Sequence, residues 1–368
     1  MSASLPVTPL RYQPAFEQPD GDEAATTHEL IEALRDIQET TFRNSGQALR
    51  GVHAKSHGLL QGELEVLEGL PPELAQGLYA RPGRHPVVLR FSTNPGDLLD
   101  DSISVPRGLA LKVVGVEGER LPDSEGQATQ DFVLVNSPVF SVPRAKDFLT
   151  PLKLLAATTD IPQGYKKLAS TVLRGAEAAL EAVGGASGAL KSLGGHPNTH
   201  ILGETFHSAT PFLHGPYMAK YSVTPATPML KALTGRKVDV AGRPDALREE
   251  VMAFFASQQG EWDLRVQLCT DIERMPVEDA SVEWPEELSP HVTVGRIIVP
   301  PQPSWDKARS KAVDLGMSFS PWHGLAAHRP LGAINRVRKP AYAMSSRFRA
   351  EHSGCPMREP RHAEEVPI

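Results

Sequence analysis

The feature that most restricts the fold of this chain is a succession of short strand-like segments separated by turn residues. Residues 60–67 alternate between polar and apolar side chains, and residues 86–92, 108–114 and 131–135 are rich in aliphatic side chains. Turn residues such as Asn94-Pro95-Gly96 separate these segments. Strands that follow one another with short links are typical of an antiparallel barrel or sandwich, and they argue against alternating β and α units.

Helical and extended patterns share the rest of the chain. Apolar residues at helical spacing predict helices at residues 27–42, 145–157, 164–183, 244–257, 305–315 and 339–350, with Thr26 or Thr27 capping the first. Further strands are predicted at residues 217–223, 262–270 and 291–299, and glycines at 184–188 and 194–195 predict a flexible connection.

These elements together predict an α+β fold. A β-barrel core would follow a helical N-terminal arm and precede the C-terminal helices. We expect three parts: residues 1–45 form the arm, residues 46–300 form the barrel domain with inserted helices, and residues 301–368 form the C-terminal segment.

Composition excludes several classes of function. With 40% hydrophobic and 22% charged residues and a net charge of −6, the chain has the balance of a globular protein, and no nucleic acid is expected as a partner. Zinc-ligand spacing, a P-loop and a dinucleotide-binding glycine motif are all absent from the sequence. A secretory signal pattern and an apolar stretch of about 18 residues are also absent, so we expect no membrane span and a cytoplasmic location.

The run His53-Ala54-Lys55-Ser56-His57-Gly58 offers an imidazole beside a polar, glycine-bearing stretch. A neutral imidazole can move a proton near pH 7, and a glycine lets the backbone approach a flat ligand closely. The pattern does not separate His53 from His57. A purely structural histidine is the competing interpretation.

A second run, Arg338-Lys339-Pro340-Ala341-Tyr342, offers a phenol with a guanidinium four residues before it. Because proline is tolerated in the first turn of a helix, Pro340 predicts a helix that starts near Lys339, with Arg338 at its edge. Arg349 lies seven residues after Tyr342 and would share its face. A phenol and a distant imidazole fit the two faces of one flat cofactor, so we hypothesise haem. A surface helix rich in arginine is the alternative.

Two further positions carry polar groups where the surroundings are apolar. Asn136 follows a strand predicted to be buried, so its carboxamide needs partners; it is either a turn former or a donor that orients a peroxide opposite His53. Arg90 lies among apolar strand residues, where an unpaired charge is costly. Haem propionates would be suitable partners for Arg90, and Arg50 and Arg349 add two more guanidiniums.

Taken together, these segments resemble the haem catalase family. The similar motifs occur in the family's order and are Arg50-x-x-His53-Ala54-Lys55-x-x-Gly58, Arg90-Phe91-Ser92-Thr93, Pro106-Arg107-Gly108-Leu109-Ala110-Leu111-Lys112, Asn136-Ser137-Pro138-Val139-Phe140, and Arg338-x-x-x-Tyr342 with Arg349. They extend from residue 50 to residue 349 and so cover most of the chain.

The resemblance implies a role for each residue on the peroxide side of a haem. His53 would be the distal acid–base group, Asn136 its partner on the peroxide, and Ser92 the residue that holds the imidazole. Val52 and Phe140 would lie at the haem, since Val52 precedes the distal histidine and Phe140 ends the asparagine loop.

On the other side, the resemblance implies that Tyr342 is the axial ligand of the iron. Arg338 would lower the basicity of that phenolate. Arg50, Arg90 and Arg349 would hold the propionates. Phe148 would place an aromatic ring over the haem.

Some segments depart from the family pattern. The chain is shorter than ordinary catalases, with no room for their wrapping segment and C-terminal flavodoxin-like domain, and Phe140-Ser141 replaces a Phe-Phe pair. It is most similar to the small catalase-related haem peroxidases. The resemblance therefore implies haem b, a hydrogen peroxide or organic hydroperoxide substrate, a ferryl intermediate, an organic electron donor, some catalase activity, and a homo-oligomer, for which we expect a dimer.

Two other functions remain open from the sequence. One is an allene oxide synthase-like lyase or isomerase acting on fatty-acid hydroperoxides. A threonine precedes the distal histidine in such enzymes, whereas this chain has Val52. The other is a haem-binding protein without turnover, which would need neither His53 nor Asn136.

Overall fold

Antiparallel pairing of nine strands builds the centre of the protein. The structure is a computed structural model and describes residues 7–157, 159–160 and 197–367. The strands in these ranges are β1 Lys55–Val66, β2 Gly83–Thr93, β3 Arg107–Val114, β4 Thr129–Val135, β5 Phe206–His207, β6 Phe212–His214, β7 Tyr217–Pro225, β8 Gly260–Leu268 and β9 Val292–Val299. Eight of them close a ring in the order β1-β2-β3-β4-β5-β7-β8-β9, and β6 pairs with the edge of β7. The predicted antiparallel barrel is confirmed.

The two faces of strands β2 and β3 have different surroundings. Phe91 is fully buried among the large apolar side chains of the main core, and such a side chain contributes about 1.5–3 kcal/mol on burial. Because neighbouring residues of a strand point to opposite faces, Arg90 and Ser92 point outward. The register pairs Arg90 with Ala110 and Ser92 with Gly108, so small residues lie beside the two polar ones. This outer face of β2 and β3 forms one wall of the candidate site.

Helices cover this outer face. The helices in the described ranges are α1 Glu23–Ser45, α2 Ala145–Ala157, α3 Pro228–Lys231, α4 Ala246–Phe255, α5 Lys307–Ser310 and α6 Ala333–Ser353. An apolar cluster that includes Leu30, Ile37, Leu152 and Val337 packs α1, α2 and α6 together. The helical arm and the C-terminal helix therefore form one layer outside the barrel, as expected for an α+β fold.

Helix α6 differs from its prediction in a way that affects the site. It begins at Ala333, so both Arg338 and Pro340 lie inside it, and the predicted start near Lys339 was wrong. The early start is stabilised by tertiary contacts: Glu17 accepts a hydrogen bond from the backbone N–H of Gly332, and Glu278 accepts one from Ala333. Satisfying free N–H groups of a first helical turn offsets the loss at an internal proline.

Two other helix predictions were partly wrong. Helix α1 begins at Glu23, so Thr26 is a buried residue inside it and neither predicted threonine caps it. Residues 305–315 contain only the short helix α5, followed by a wide π-type turn at Lys311–Leu315. Such turns occur frequently at functional sites, and this one carries Asp314 towards the outer face of β2.

Several expectations were met, and some lie outside the described residues. Helix α2 has its predicted bounds, and α4 and the later strands lie within about two residues of theirs. The predicted helix at residues 164–183 and the glycine-rich connections at 184–188 and 194–195 are outside the described ranges. The division into residues 1–45, 46–300 and 301–368 stays a prediction. Across the described ranges, no helix combines the length and the apolar character needed to cross a membrane.

Candidate active site

A cavity of about 420 Å³ lies between the outer face of the barrel and helix α6. Its volume falls in the range of small-molecule and cofactor sites. Its walls include residues from β2, β3 and β4, the loop at residues 318–323 and one side of α6. Seven of the predicted site residues line it, namely Arg50, Val52, His53, Arg90, Ser92, Tyr342 and Arg349.

His53 is held by its backbone conformation and by close packing on β3. Its φ of 53° is in the left-handed region, which costs roughly 1–2 kcal/mol for a residue with a Cβ, and such strain is concentrated at functional sites. The imidazole lies directly over Gly108, where an added Cβ would be 2.7 Å from Nδ1 and Cε1. Nδ1 lies 3.3 Å from Oγ of Ser92. A glycine and a serine thus set the position of the ring.

The electrostatics keep this imidazole neutral. Burial, followed by the charges of Arg90, Arg338 and Arg50, lowers the pKa of His53 to about 3. At pH 7 it is therefore a free base, able to accept a proton. His57 is different, because it is fully buried in β1, with Nε2 at 2.9 Å from Oγ1 of Thr93, and it is not part of the cavity wall. The structure separates the two histidines that the sequence did not.

Three guanidiniums surround one carboxylate at the inner end of the cavity. Nε of Arg90 donates to Oδ1 of Asp314 at 2.7 Å. Arg50 and Arg349 both donate to the backbone carbonyl of Met317, at 2.9 and 3.1 Å. Within the described residues, the Nε atoms of Arg50 and Arg349 are buried without a hydrogen-bond partner. Unpaired buried donors are rare in proteins, and here they indicate a place for acceptor atoms.

The charge balance leads to the same conclusion. Burial, together with the neighbouring Arg349 and Arg90, lowers the pKa of Arg50 well below its usual value, and burial and Arg90 lower the pKa of Arg349 to about 10. Asp314 and Glu359 oppose these shifts without cancelling them. The inner end of the cavity therefore carries surplus positive charge, which a ligand with carboxylates would neutralise.

Tyr342 contributes a phenol from the opposite wall. It is half-buried on α6 and lines the cavity, and within the described residues its hydroxyl has no hydrogen-bond partner. Arg338, one helical turn earlier, donates among the described residues only to neutral oxygens, those of Thr210 at 3.3 Å and Asn335 at 3.2 Å. Among the described residues no carboxylate pairs with Arg338. The wall on this side therefore offers a phenol oxygen that is free to bind a ligand, with an uncompensated cation one helical turn away.

Four predicted residues do not line the cavity: Asn136, Phe140, Phe148 and Arg338. The amide of Asn136 is engaged elsewhere, because Nδ2 donates to Glu204 at 2.8 Å and Oδ1 accepts from the backbone N–H of Arg107 at 2.9 Å. Phe140 and Phe148 pack on each other, with ring centroids 5.2 Å apart, in the apolar layer between helices. Roles for these four residues towards a cofactor or peroxide stay predictions.

Sequence reasoning missed other parts of the wall. Phe319, Trp322 and His323 line the cavity, and Asp314 provides the carboxylate among the arginines. The sequence around these four residues showed only a helical pattern over 305–315, and nothing in it indicated a site. The contact between Arg90 and Asp314 joins residues 224 positions apart, which no short motif can reveal.

Comparison with known proteins shows which solved structures have a similar fold. No family model matches the chain, and no curated protein matches it. Among solved structures, a fungal catalase aligns with a TM-score of 0.60 at 19% identity, over 90% of this chain and 64% of that one. Catalase A from Saccharomyces cerevisiae aligns with a TM-score of 0.57 at 16% identity, over 90% of this chain and 67% of that one. A bacterial catalase aligns with a TM-score of 0.58 at 19% identity, over 97% of this chain and 67% of that one. The chain thus spans about two thirds of the length of these catalases, and it has a catalase-like fold.

Proposed function

We propose that this chain is a haem-dependent peroxidase that binds haem b in the cavity and cleaves hydrogen peroxide or organic hydroperoxides with the help of an organic electron donor. One observation carries the proposal: a single cavity is lined by His53 from the barrel side, by Tyr342 from α6, and by three arginines at its inner end. The likeness of the fold to structures described as catalases supports it.

The residues present fit this cofactor in three respects. The oxygen of Tyr342 is free to bind iron, as tyrosinate does in catalases. The unpaired Nε atoms of Arg50 and Arg349 match the acceptor oxygens of propionates. The small residue Gly108 leaves room for the His53 ring over the barrel face. Haem would supply the iron centre at which the O–O bond of a peroxide is weakened.

The protein's own contribution is to hold charge and to move a proton. His53, neutral because of its lowered pKa, can take a proton from one oxygen of a peroxide and return it to the other. If Oγ of Ser92 accepts from Nδ1–H of His53, then Nε2 is the basic atom, since Oγ can itself donate to the carbonyl of Gly108 at 3.5 Å. Arg50, Arg90 and Arg349 would orient the cofactor through its propionates, and Arg338 would place a positive charge one helical turn from Tyr342.

The experiment is to load the purified protein with haem and measure its absorption spectrum, oxygen evolution from hydrogen peroxide, and oxidation of a phenolic dye. Tyr342→Phe should change the spectrum and weaken haem binding. His53→Gln should keep the haem but slow peroxide cleavage by about 10²- to 10⁴-fold. A loaded protein with neither activity, or a His53→Gln variant with the original rate, would refute the proposal.

Product analysis with a lipid hydroperoxide separates this proposal from a lyase or isomerase. A peroxidase yields the alcohol, whereas rearrangement without net reduction yields a carbonyl or epoxide. If rearranged products dominate, the chain is not a peroxidase.

A further inference from the structure

The cavity opens to solvent between a loop and the outer edge of α6. The exposed members of its wall are Pro122, Asp123, Ala343 and Arg347. Nζ of Lys339 lies 2.8 Å from Oδ2 of Asp123 and 5.1 Å from the ring centroid of Trp322. The indole is fixed, because its Nε1 donates to the backbone carbonyl of Asn335 at 2.7 Å. An aromatic surface bordered by cations therefore stands at the entrance.

A titratable side chain, His323, lies next to this indole in the cavity wall. The exposed fraction of its side chain is 18%, and Nδ1 lies 3.3 Å from Oδ2 of the fully buried Asp131. The two residues are also joined by their backbones, since the N–H of Asp131 donates to the carbonyl of His323 at 2.9 Å. Nδ1 is buried and makes no hydrogen bond within the described residues, so Asp131 is a charged neighbour of the ring rather than a hydrogen-bond partner. Nε2 is the ring nitrogen left to contact a ligand.

A buried charge cluster lies behind His323. Fully buried Lys112 binds Asp131 at 2.7 Å and Glu359 at 2.8 Å. Burial opposes the charge on Lys112, but Asp131 and Glu359 raise its pKa, so the lysine is charged. One cation between two carboxylates leaves a net charge of −1. Within this cluster, Asp131 is the carboxylate that faces Nδ1 of His323.

We propose that this opening is the binding site for the reducing substrate, that the substrate is a phenol bearing a carboxylate, and that His323 is the base that accepts the phenolic proton. This inference rests on the proposed function. In the step, the phenol O–H bond breaks, the proton goes to Nε2 of His323, and the electron goes to the cofactor that peroxide has oxidised. The phenoxyl radical leaves, and His323 releases its proton to water before a second phenol reacts in the same way. One peroxide and two phenols thus give two waters and two phenoxyl radicals.

The surroundings define the chemical class. Trp322 lines the cavity with the ammonium of Lys339 5.1 Å from its ring centroid, so an aromatic ring would pack on the part of the indole that Lys339 leaves uncovered. Lys339 and Arg347 outnumber Asp123 at the opening, and within the described residues Arg347 has no ion-pair partner. A carboxylate on the substrate would therefore be attracted, and an ammonium group would be repelled.

The test uses the haem-loaded protein and two phenols that differ in charge, 4-hydroxyphenylacetate and tyramine. After oxidation by peroxide, reduction is followed in a stopped-flow instrument with each phenol and with ferrocyanide, which gives an electron but no proton. In His323→Gln, the ratio of the 4-hydroxyphenylacetate rate to the ferrocyanide rate should fall by about 100-fold. His362→Gln, which changes an exposed histidine elsewhere, is the matched control and should leave this ratio unchanged.

Calorimetry on the resting protein gives a readout that does not depend on turnover. Lys339→Gln should weaken the binding of 4-hydroxyphenylacetate about fivefold and should not weaken that of tyramine. Equal losses with phenol and ferrocyanide in His323→Gln, or tighter binding of tyramine than of 4-hydroxyphenylacetate, would overturn the inference. If the protein does not react with peroxide at all, the proposed function fails, while calorimetry still decides whether the opening binds anionic phenols.

Discussion

Replacing Gly108 by alanine is a direct test of how the imidazole of His53 is positioned. The new Cβ would lie 2.7 Å from Nδ1 and Cε1 of His53 and 3.3 Å from the carbonyl oxygen of Leu134. An ordinary contact needs at least 3.4 Å, so the imidazole would have to move by about 0.7 Å. This movement would also disturb the 3.3 Å contact with Ser92.

The size of the expected effect follows from that displacement. A misplacement on the order of 1 Å in a reacting group can lower a rate about 10²-fold, so we expect the reaction with peroxide to slow by about that factor. Overpacking at a buried strand position should lower the free energy of unfolding by about 1–3 kcal/mol. Stopped-flow spectroscopy measures the first effect on haem-loaded protein, and urea denaturation measures the second.

Gly83→Ala is the matched control. Gly83 is a glycine of the neighbouring strand β2, and an added Cβ there would have no heavy atom within 4 Å. It should leave both the rate and the stability unchanged. A Gly108→Ala protein that binds haem and reacts at the original rate would show that Gly108 does not set the position of the imidazole.

Three further predictions concern stability. Arg336→Ala removes the common partner of three glutamates and should lower the free energy of unfolding by about 2–4 kcal/mol in urea; an unchanged midpoint would contradict the network. Glu359→Gln weakens the pair with Lys112 and should make the C-terminal tail more sensitive to limited proteolysis; an unchanged rate of cleavage would contradict this. Burial lowers the pKa of His214 to about 4 and that of His328 to about 3, so the folded state resists protonation that the unfolded state accepts below pH 6.5. Stability should therefore fall as the pH is lowered from about 6.5 towards 4, by about 1.4 kcal/mol per pH unit for each such histidine, and urea midpoints at pH 7 and pH 5 that agree would contradict this.

Patterns within single elements predicted the barrel well. Alternation and turn residues located the strands because both signals depend on near neighbours, and the helix at Ala145–Ala157 was predicted with its observed bounds. The start of α6 was missed because contacts from Glu17 and Glu278, distant in sequence, stabilise its first turn despite Pro340. Helix propensity is a property of the local sequence and does not include such contacts.

In the candidate site, too, local patterns identified residues, whereas contacts between residues distant in sequence could not be predicted. Residue types in ordered motifs identified His53, Tyr342 and the arginines, and the structure brings these together around one cavity. Asn136 lies outside that cavity wall, because Glu204 and the backbone of Arg107 hold its amide. A motif states which residue type is present, but not which neighbour will bind it.

By itself, the sequence determined the class of the fold, an α+β protein with an antiparallel barrel core, and the kinds of side chain available for peroxide chemistry, because periodicity and residue type are local properties. Only the tertiary structure decided that His53 rather than His57 faces the cavity. A β-bulge at residue 57 affects the direction of the His57 ring, and the close contact with Gly108 sets the direction of the His53 ring. The tertiary structure also decided the charge balance, because Asp314 pairs with Arg90, 224 positions away in sequence, while the Nε atoms of Arg50 and Arg349 find no partner in the described part of the chain. Burial and long-range pairing are properties of the folded chain, and they govern both the pKa of the imidazole and the attraction of the cavity for a carboxylate-bearing ligand.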